Sequence, residues 1–469
     1  MTAVQGSSAR PDRPDDADGL GTPARYWAIV SVGLAIAMTV LDSSIANVAL
    51  PTIARDFGAQ PSESIWIINA YQLAIVISLL PLASLGEIVG FRRIYQGGLA
   101  VFTLASLACA ISHTLPTLTA ARALQGFGAA GVMSVNGGLV RFIYPTRMLG
   151  RGIGINAMIV SGAAAVGPSI ASAILAVGPW PWLFAVNIPV GLAALALAAR
   201  VLPANPLSGR RFDWVSASLN ALTFGLVISG VDIATRTSAR ILGAAQILAG
   251  LVAGALLAHR EWPRRRPLVP FDLLRGPIFA LSVATSVASF AAQMLAFVSL
   301  PFHFEYGLHH TQVETGLLLT PWPVALAVAA PAAGWLADRV STAVLCAIGL
   351  AAFAAGLFAL MVLPASASSL DIAWRMALCG AGFGLFQSPN NRMMLTSAPR
   401  DRAGAAGGML GTARLTGQII GAVLTAVALH LFGGSGEVVA LGTAAVFALA
   451  AASVSLLRLG RAPTLPLAA

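Results

Sequence analysis

Fourteen separate runs of apolar residues, each long enough to cross a lipid bilayer, dominate the sequence. A helix that spans the hydrocarbon core needs about 20 mostly apolar residues, and the bilayer offers its backbone no other hydrogen-bond partner. The runs cover residues 26–50, 65–86, 94–113, 117–140, 152–176, 181–200, 213–232, 239–258, 277–302, 314–337, 341–363, 373–392, 403–430 and 437–458. The pattern predicts an all-α polytopic membrane protein with 14 transmembrane helices.

The composition agrees with this class. Of 469 residues, 57% are hydrophobic and 10% are charged, and the mean hydropathy is +0.81, whereas soluble domains carry about 25% charged residues. Residues 1–25 are polar and lack the apolar core of a signal peptide, which predicts a cytoplasmic N-terminal tail. Three cysteines lie in apolar runs without metal-binding or disulfide spacing, so no metal or cofactor is expected.

All 28 basic residues are arginine, and lysine is absent. A phosphate-binding Walker A loop requires its lysine, so the chain itself is not expected to be a P-loop ATPase. The net charge of +10 does not imply nucleic acid, because arginine distribution follows membrane topology. With a cytoplasmic N-terminus, 22 arginines fall in inner segments and three in outer loops. This asymmetry predicts an inner-membrane protein with both termini cytoplasmic.

Two parts of the chain resemble each other at a constant offset of 254 residues. Gly126 matches Gly380, Asn136 matches Asn390, and further Gly, Ser and Pro pairs follow in order. Parallel repeats related by an axis along the membrane normal are a transporter architecture, with the site near the midplane between them. We therefore expect two six-helix halves, at 26–202 and 277–460. An extra helix pair at 212–258 and a cytoplasmic linker at 259–276 separate them.

Asp42 is the one acidic residue placed well inside a predicted span. A charged side chain near the bilayer centre costs about 3 kcal/mol on insertion scales, so it usually has a function. The functional interpretation is a carboxylate that binds and releases a proton. The alternative is a structural hydrogen bond to Ser43, Ser44 or Asn47.

Four motifs resemble those of the major facilitator superfamily, specifically its fourteen-helix drug:proton antiporters of the DHA2 multidrug resistance group. They are LDSSIANVALPTI at 41–53, RALQGFGAA at 122–130, GAAAVGPSIAS at 162–172 and WPWLFAVNIPVG at 180–191. The resemblance implies that Asp42 and Arg122 couple proton movement, since the family brings helices 1 and 4 together. It also assigns Gly162, Gly167 and Pro168 to the antiporter motif, in which small residues allow close helix packing.

The cytoplasmic loop motif of that family is altered in this chain. In the first half, Ala83 and Glu87 replace the first glycine and the aspartate of the family pattern, whereas Gly90, Arg92 and Arg93 match it. The second half keeps Gly334, Asp338 and Arg339. A charge-relay latch that holds one conformation is one interpretation of these residues. A solvated loop is the other.

Several polar or aromatic residues inside spans are candidates to line a substrate cavity. They are Asn69, Gln72, Asn136, Gln293, Trp322, Gln387 and Asn390. His303 and Glu305 lie near the outer end of helix 9. They could bind a proton or cation, and an interfacial position explains them equally well.

The sequence therefore predicts a monomeric, proton-coupled antiporter without cofactors that exports small lipophilic compounds, cationic or neutral, by alternating access. Its partners are expected to be substrate, protons and lipid. A proton-coupled symporter or a specific metabolite exporter on the same fold is the first alternative. A membrane enzyme or sensor is the second, although no catalytic motif supports it.

Overall fold

A computed structural model describes residues 19–145, 148–205, 207–209, 211–235, 239–262, 264, 271–337, 339–364, 366–398 and 403–459. Within these ranges the secondary structure is helical and contains no β-strand. The first 18 residues of the predicted tail, residues 263 and 265–270 of the predicted linker, and Asp338 lie outside the described residues.

Seventeen α-helices are found in the described residues. Their bounds are α1 Ala24–Asp56, α2 Pro61–Ser64, α3 Trp66–Val89, α4 Phe91–Ala110, α5 Leu115–Ile143, α6 Leu149–Val177, α7 Trp182–Ala185, α8 Asn187–Val201, α9 Trp214–Thr235, α10 Arg240–Glu261, α11 Pro277–Phe302, α12 Gln312–Leu319, α13 Pro321–Leu336, α14 Thr342–Met361, α15 Ser369–Thr396, α16 Ala403–Phe432 and α17 Gly436–Leu456. A π-helical turn, His303–Gly307, extends α11, and a 3-10 turn, Phe271–Arg275, precedes it.

Three of these helices are short and lead directly into a longer one. The prediction of a single helix over 314–337 missed the break between α12 and α13 at Thr320. Pro321 and Pro323 follow this residue, and proline lacks the N–H that a continuous helix requires. Thr311 begins α12 through a capping box with Glu314, in which each side chain bonds to the other's backbone N–H.

Nine helical stretches in the described ranges are long and apolar enough to cross a membrane. They include α1, the combined α2–α3 and α12–α13, and both helices of the predicted extra pair, α9 and α10. The chain thus has the helical architecture of a multi-pass membrane protein.

Equivalent glycines of the internal repeat make equivalent helix contacts. A Cβ at Gly126 would collide with the backbone carbonyl of Tyr71, and one at Gly380 with that of Trp322. In the same way, Gly128 approaches the backbone of Phe102 and Gly382 that of Phe353. Tyr71 and Phe102 are each 251 residues before their counterparts. Small residues permit such close backbone approach between membrane helices, so one packing pattern occurs twice.

Helices α9 and α10 pack against each other through glycines. Gly230 and Gly250 on the two helices lie so close to the partner backbone that an added Cβ would approach it within 2.9 Å. The pair contacts the rest of the bundle where the Asn220 amide donates to the Ile77 carbonyl on α3 at 3.0 Å. The extra pair therefore lies against α3, and α9 also contacts α16.

Candidate functional site

Asp42 of α1 and Arg122 of α5 form an ion pair inside the bundle. Oδ2 of Asp42 accepts from Nη1 of Arg122, and both residues are at most 1% exposed. Gly167 allows α6 to approach α1 closely, because a Cβ at this position would lie 2.5 Å from Cβ of Ser44. The two residues predicted to couple proton movement are thus brought together.

Neutral polar groups from three further side chains complete the Asp42 network, defined here as Asp42, Arg122, Gln125, Asn187 and Ser106. Oδ1 of Asp42 accepts from the Gln125 amide at 2.9 Å and from the Asn187 amide at 2.7 Å. Gln125 also donates to Ser106 at 2.9 Å and accepts from Arg122 at 2.5 Å. All five side chains are buried, so the carboxylate is held by α5 and α8 as well as by its ion pair.

Aromatic rings cover the guanidinium of Arg122. It lies 4.1 Å from the ring centroid of Tyr71 and 5.5 Å from that of Phe184. Its Nε also donates to the carbonyl of Ile67 at 3.3 Å. A buried ion pair stabilises only when its remaining hydrogen-bonding groups are satisfied, and removing one partner costs about 3–5 kcal/mol. The Asp42 network meets this condition.

Sequence reasoning missed Gln125, Asn187 and Ser106. Gln125 follows Arg122 by three residues on α5, the spacing that places two side chains on one helix face. That spacing was the available signal. Asn187 and Ser106 carry no such signal, because only the packing of α8 and α4 against α1 and α5 brings them to the carboxylate.

A second set of contacts, the helix-end contacts, joins the end of α1 to the segment after α11. Nη2 of Arg55 pairs with Oε2 of Glu305 at 2.7 Å, and Thr52 donates to Gln312 at 2.7 Å. The hydroxyl of Tyr306 donates to the carbonyl of Pro51 at 3.2 Å. These contacts connect the first repeat to the second, and Glu305 is an ion-pair partner here.

The segment that resembles the antiporter motif, residues 162–172, contributes to the same end of the bundle. Ser172 donates to the carbonyl of Pro168 at 3.0 Å, and Gly316 of α12 lies directly against Ser172. Ser169 and Thr320 share a hydrogen bond of 2.9 Å. An added Cβ at Gly162, by contrast, would meet no atom within 4 Å.

The loop residues that were predicted to form a latch make contacts within their own repeats. Gly90 joins α3 to α4 with φ of +108°, a conformation that glycine adopts at little cost. Arg92 donates to the carbonyl of Ala199, and Arg93 donates to that of Val89 at 3.3 Å. The carbonyl of Glu87 accepts from the Ser208 amide at 2.7 Å. In the second repeat, Arg339 lies 4.0 Å from the Trp335 ring centroid.

The cavity candidates fall into three groups. Asn69, Gln72, Asn136 and Trp322 each carry a buried polar atom without a hydrogen-bond partner, whereas Gln293 and Gln387 are partly buried. Asn390 instead is buried and accepts from Arg458 at 2.7 Å. Asn69 also lines a cavity of about 820 Å³ between α3, α5 and α16. Among the described residues, no cluster of His, Cys, Asp and Glu has the composition of a metal site.

Comparison with known families identifies the class of protein. The sequence profile of the Major Facilitator Superfamily matches residues 32–422, and also 288–467. The chain therefore belongs to the Major Facilitator Superfamily and is a transport protein rather than an enzyme. The peptide transporter POT in complex with alafosfalin has the same fold, with a TM-score of 0.69 at 14% identity over 92% of this chain and 93% of that one.

Three individual relatives show which transporters this chain resembles in sequence. The chain is 55% identical to the uncharacterized transporter YebQ of Escherichia coli K12 over 94% of this chain and 97% of the relative. It is 32% identical to the multidrug resistance protein Stp of Mycobacterium tuberculosis, over 85% and 75% of the two chains. The riboflavin transporter RibZ of Clostridioides difficile is 29% identical over 83% and 85%.

Proposed function

We propose that this chain is a proton-coupled antiporter of the bacterial inner membrane that exports small lipophilic compounds by alternating access. The observation that carries the proposal is the buried Asp42 network, in which a titratable carboxylate and a guanidinium lie together inside an apolar bundle. Names of relatives such as the multidrug resistance protein Stp support export of foreign compounds. Fold alone does not fix substrate or direction.

The coupling step is a change of partner at Asp42. Protonation of the carboxylate removes its negative charge, so the ion pair with Arg122 is lost. The Gln125 oxygen at 2.5 Å and the Ile67 carbonyl at 3.3 Å still accept from the guanidinium. The protonated α1 is then free to move relative to α5, and loss of the proton on the cytoplasmic side restores the pair. A ligand that binds the two states differently shifts their populations.

The membrane arrangement belongs to the same proposal. Each short helix taken with its successor gives fourteen spans, organised as two six-helix halves and a central pair. Both termini are cytoplasmic, and the helix-end contacts then lie at the outer face. Arg55, Thr52 and Pro51 close that face against Glu305, Gln312 and Tyr306. Opening them in alternation with the cytoplasmic side releases substrate outward, and one chain is the working unit.

Everted membrane vesicles from a producing strain test the proposal. An acid-interior pH gradient is imposed without nucleotide, and uptake of ethidium, fluorescein and riboflavin is followed against vesicles lacking the protein. Antiport predicts that at least one dye accumulates and that a protonophore abolishes its accumulation. A requirement for ATP, or insensitivity to the protonophore, would refute the proposal.

A specific metabolite transporter is the second candidate, favoured by the 29% identity to the riboflavin transporter RibZ. The same vesicles separate the two. Symport predicts that an acid interior drives solute out of preloaded vesicles, and a specific exporter predicts accumulation of riboflavin alone. Accumulation of chemically unrelated dyes favours the multidrug antiporter.

A further inference from the structure

Arg414 lies inside a helix, and its charged side chain has no carboxylate partner among the described residues. It lies near the midpoint of α16 and is partly buried, and its Nε has no hydrogen-bond partner. Its guanidinium contacts the Phe290 ring of α11 at 5.7 Å from the centroid. No carboxylate among the described residues pairs with it. An arginine in this position remains charged, and it costs about 3 kcal/mol on insertion scales.

Other arginines inside helices are compensated. Arg122 pairs with Asp42, and Arg375 pairs with Asp371 at 3.0 Å. Arg458 donates to Asn390 at 2.7 Å and to Ser282 at 3.0 Å. Arg375 also keeps two buried donors, Nε and Nη1, without a partner, so Arg414 differs from these arginines in having no carboxylate, amide or hydroxyl partner among the described residues.

The position of Arg414 on α16 places it between the two repeats. Added Cβ atoms at Gly408 and Gly411 would approach Leu80 and Leu79 of α3 at 3.6 Å, so this face of α16 meets the first repeat. Gly417 and Gly421 pack directly on the backbone of α11 in the second repeat. At 100° per residue, Arg414 lies on the side of α16 between these two faces. That side faces the interface where the substrate site of a two-repeat transporter is formed.

A second unpartnered polar group lies at the same interface. Gln72 of α3 is 2% exposed, and its Oε1 has no hydrogen-bond partner. Its amide donates to Sδ of Met294 on α11 at 3.7 Å, and a Cβ at Gly421 would lie 2.8 Å from Cβ of Met294. Gly421 is seven residues beyond Arg414, or about 10 Å along the helix at 1.5 Å per residue. A buried polar group without its hydrogen bond requires an explanation, and a hydrogen-bonding group of a bound substrate would supply one here.

We propose that Arg414 binds an anionic group of the exported compound and that the substrates include lipophilic aromatic carboxylates. The planar guanidinium matches a carboxylate through two parallel hydrogen bonds, and Phe290 supplies an aromatic surface beside it. Gln72 accepts a hydrogen bond from a hydroxyl or N–H of the same compound. This group lies about 10 Å from the carboxylate, measured along the α16 axis. This inference rests on the proposed export function and replaces the expectation of only cationic or neutral substrates.

Equilibrium binding to purified protein in lipid nanodiscs tests the assignment. Fluorescein, an anionic carboxylate at pH 7.5, and rhodamine 123, a cationic methyl ester, share a xanthene scaffold and are titrated by fluorescence anisotropy. Wild type should bind fluorescein, and Arg414→Gln should weaken it by about 10- to 100-fold, the range expected for losing charged hydrogen bonds. Arg414→Lys should fall between the two. Rhodamine 123 should not lose affinity in either variant.

Controls separate this inference from the proposed function. Arg240→Gln removes an exposed arginine from α10 and should leave both titrations unchanged. Asp42→Asn should still bind fluorescein, since no gradient is needed for binding. Absence of fluorescein binding by wild type, or equal binding by wild type, Arg414→Gln and Arg414→Lys, would overturn the inference. Arg414-dependent binding in a protein that shows no proton-driven transport would support it and refute antiport alone.

Discussion

The two repeats share one packing frame but differ in polarity at its centre. Gly126 and Gly380 lie against equivalent backbone positions. Yet Arg122 of the first repeat corresponds, at the offset of 254, to Met376 of the second, an apolar and fully buried residue. Small residues set the helix contacts in both repeats, whereas within the described ranges a buried ion-pair network is found in the first repeat only.

This difference suggests that the two repeats have different functions. The first repeat places its cation against a carboxylate and three neutral partners, which suits proton exchange. The second repeat has Met376 at the position of Arg122 and leaves Arg414 without a countercharge among the described residues, which suits recognition of an anionic ligand. Substitutions at four places in the structure test whether the comparison holds, from the largest expected effect to the smallest.

Asp42→Asn should have the largest effect. Asparagine retains size and hydrogen bonding but cannot bind and release a proton, so gradient-driven efflux should fall to the level of vesicles without the protein. The measurement is dye uptake by everted vesicles between pH 6 and 8. Asp371→Asn, which removes an acid of the second repeat that pairs with Arg375, is the matched control and should retain transport. Wild-type rates and an unchanged pH profile in Asp42→Asn would make Asp42 purely structural.

Substitutions at the repeated glycines test the shared frame. A Cβ at Gly126 or Gly380 would collide with a backbone carbonyl, and such overpacking typically costs about 1–3 kcal/mol. Gly126→Ala and Gly380→Ala should therefore lower the temperature of half-maximal aggregation by similar amounts. Gly97→Ala is the control, because a Cβ there meets no atom within 4 Å. A loss confined to one of the two repeats would show that their packing is not equivalent.

Arg55→Gln tests the helix-end contacts that join the repeats. The Arg55 side chain is half exposed, while that of Glu305 is fully buried, so the variant leaves a buried carboxylate without its cation. We expect a several-fold rise in labelling of a cysteine placed at Gln312 by a membrane-impermeant maleimide, with folding retained. Arg240→Gln is the control for removal of an exposed arginine. Unchanged labelling would mean that Tyr306 maintains closure without the ion pair.

Asp213→Asn should have the smallest effect, since it concerns the loop that fastens the extra pair. Partial burial raises the pKa of Asp213, but hydrogen bonds from Arg264 and Ser216 outweigh it and hold the pKa well below its ordinary value. A lowered folded-state pKa contributes stability that is present above about pH 4 and lost on further acidification. Asp213→Asn should therefore flatten the acid side of the stability profile, measured by aggregation temperature between pH 3 and 7.

Arg264→Gln tests whether the ion pair with Arg264 is the cause of the stability that Asp213 contributes. It removes the donor from the Arg264–Asp213 ion pair, while Arg264 also pairs with Glu261 and Asp213 with Arg260, so the double variant with Asp213→Asn should lose less than the sum of the two single variants. Additive losses in the double variant would mean that the two residues act independently.

Periodic and compositional features were readable from the sequence because they depend on local physics. Apolar runs such as those containing Trp214 and Arg240 predict helices at the observed positions, since a helix in lipid satisfies its own backbone. The match of Gly126 to Gly380 indicated the repeat. The break at Thr320 arises because the prolines that follow it lack a backbone N–H. It was not predicted, because the apolar run is long enough to form one continuous helix.

Asp42 and Arg122 were recognisable by themselves, because charge inside an apolar run is costly and motifs resembling a known family mark both positions. Their neighbours were decided by tertiary structure. Asn187 lies 145 residues from Asp42 in the chain yet donates to it at 2.7 Å. Arg414 and Arg458 look alike in sequence, and only the packing of α16 and α17 gives one of them partners. Local sequence sets which segments are helices, whereas the pairing of buried polar groups depends on contacts between helices distant in sequence.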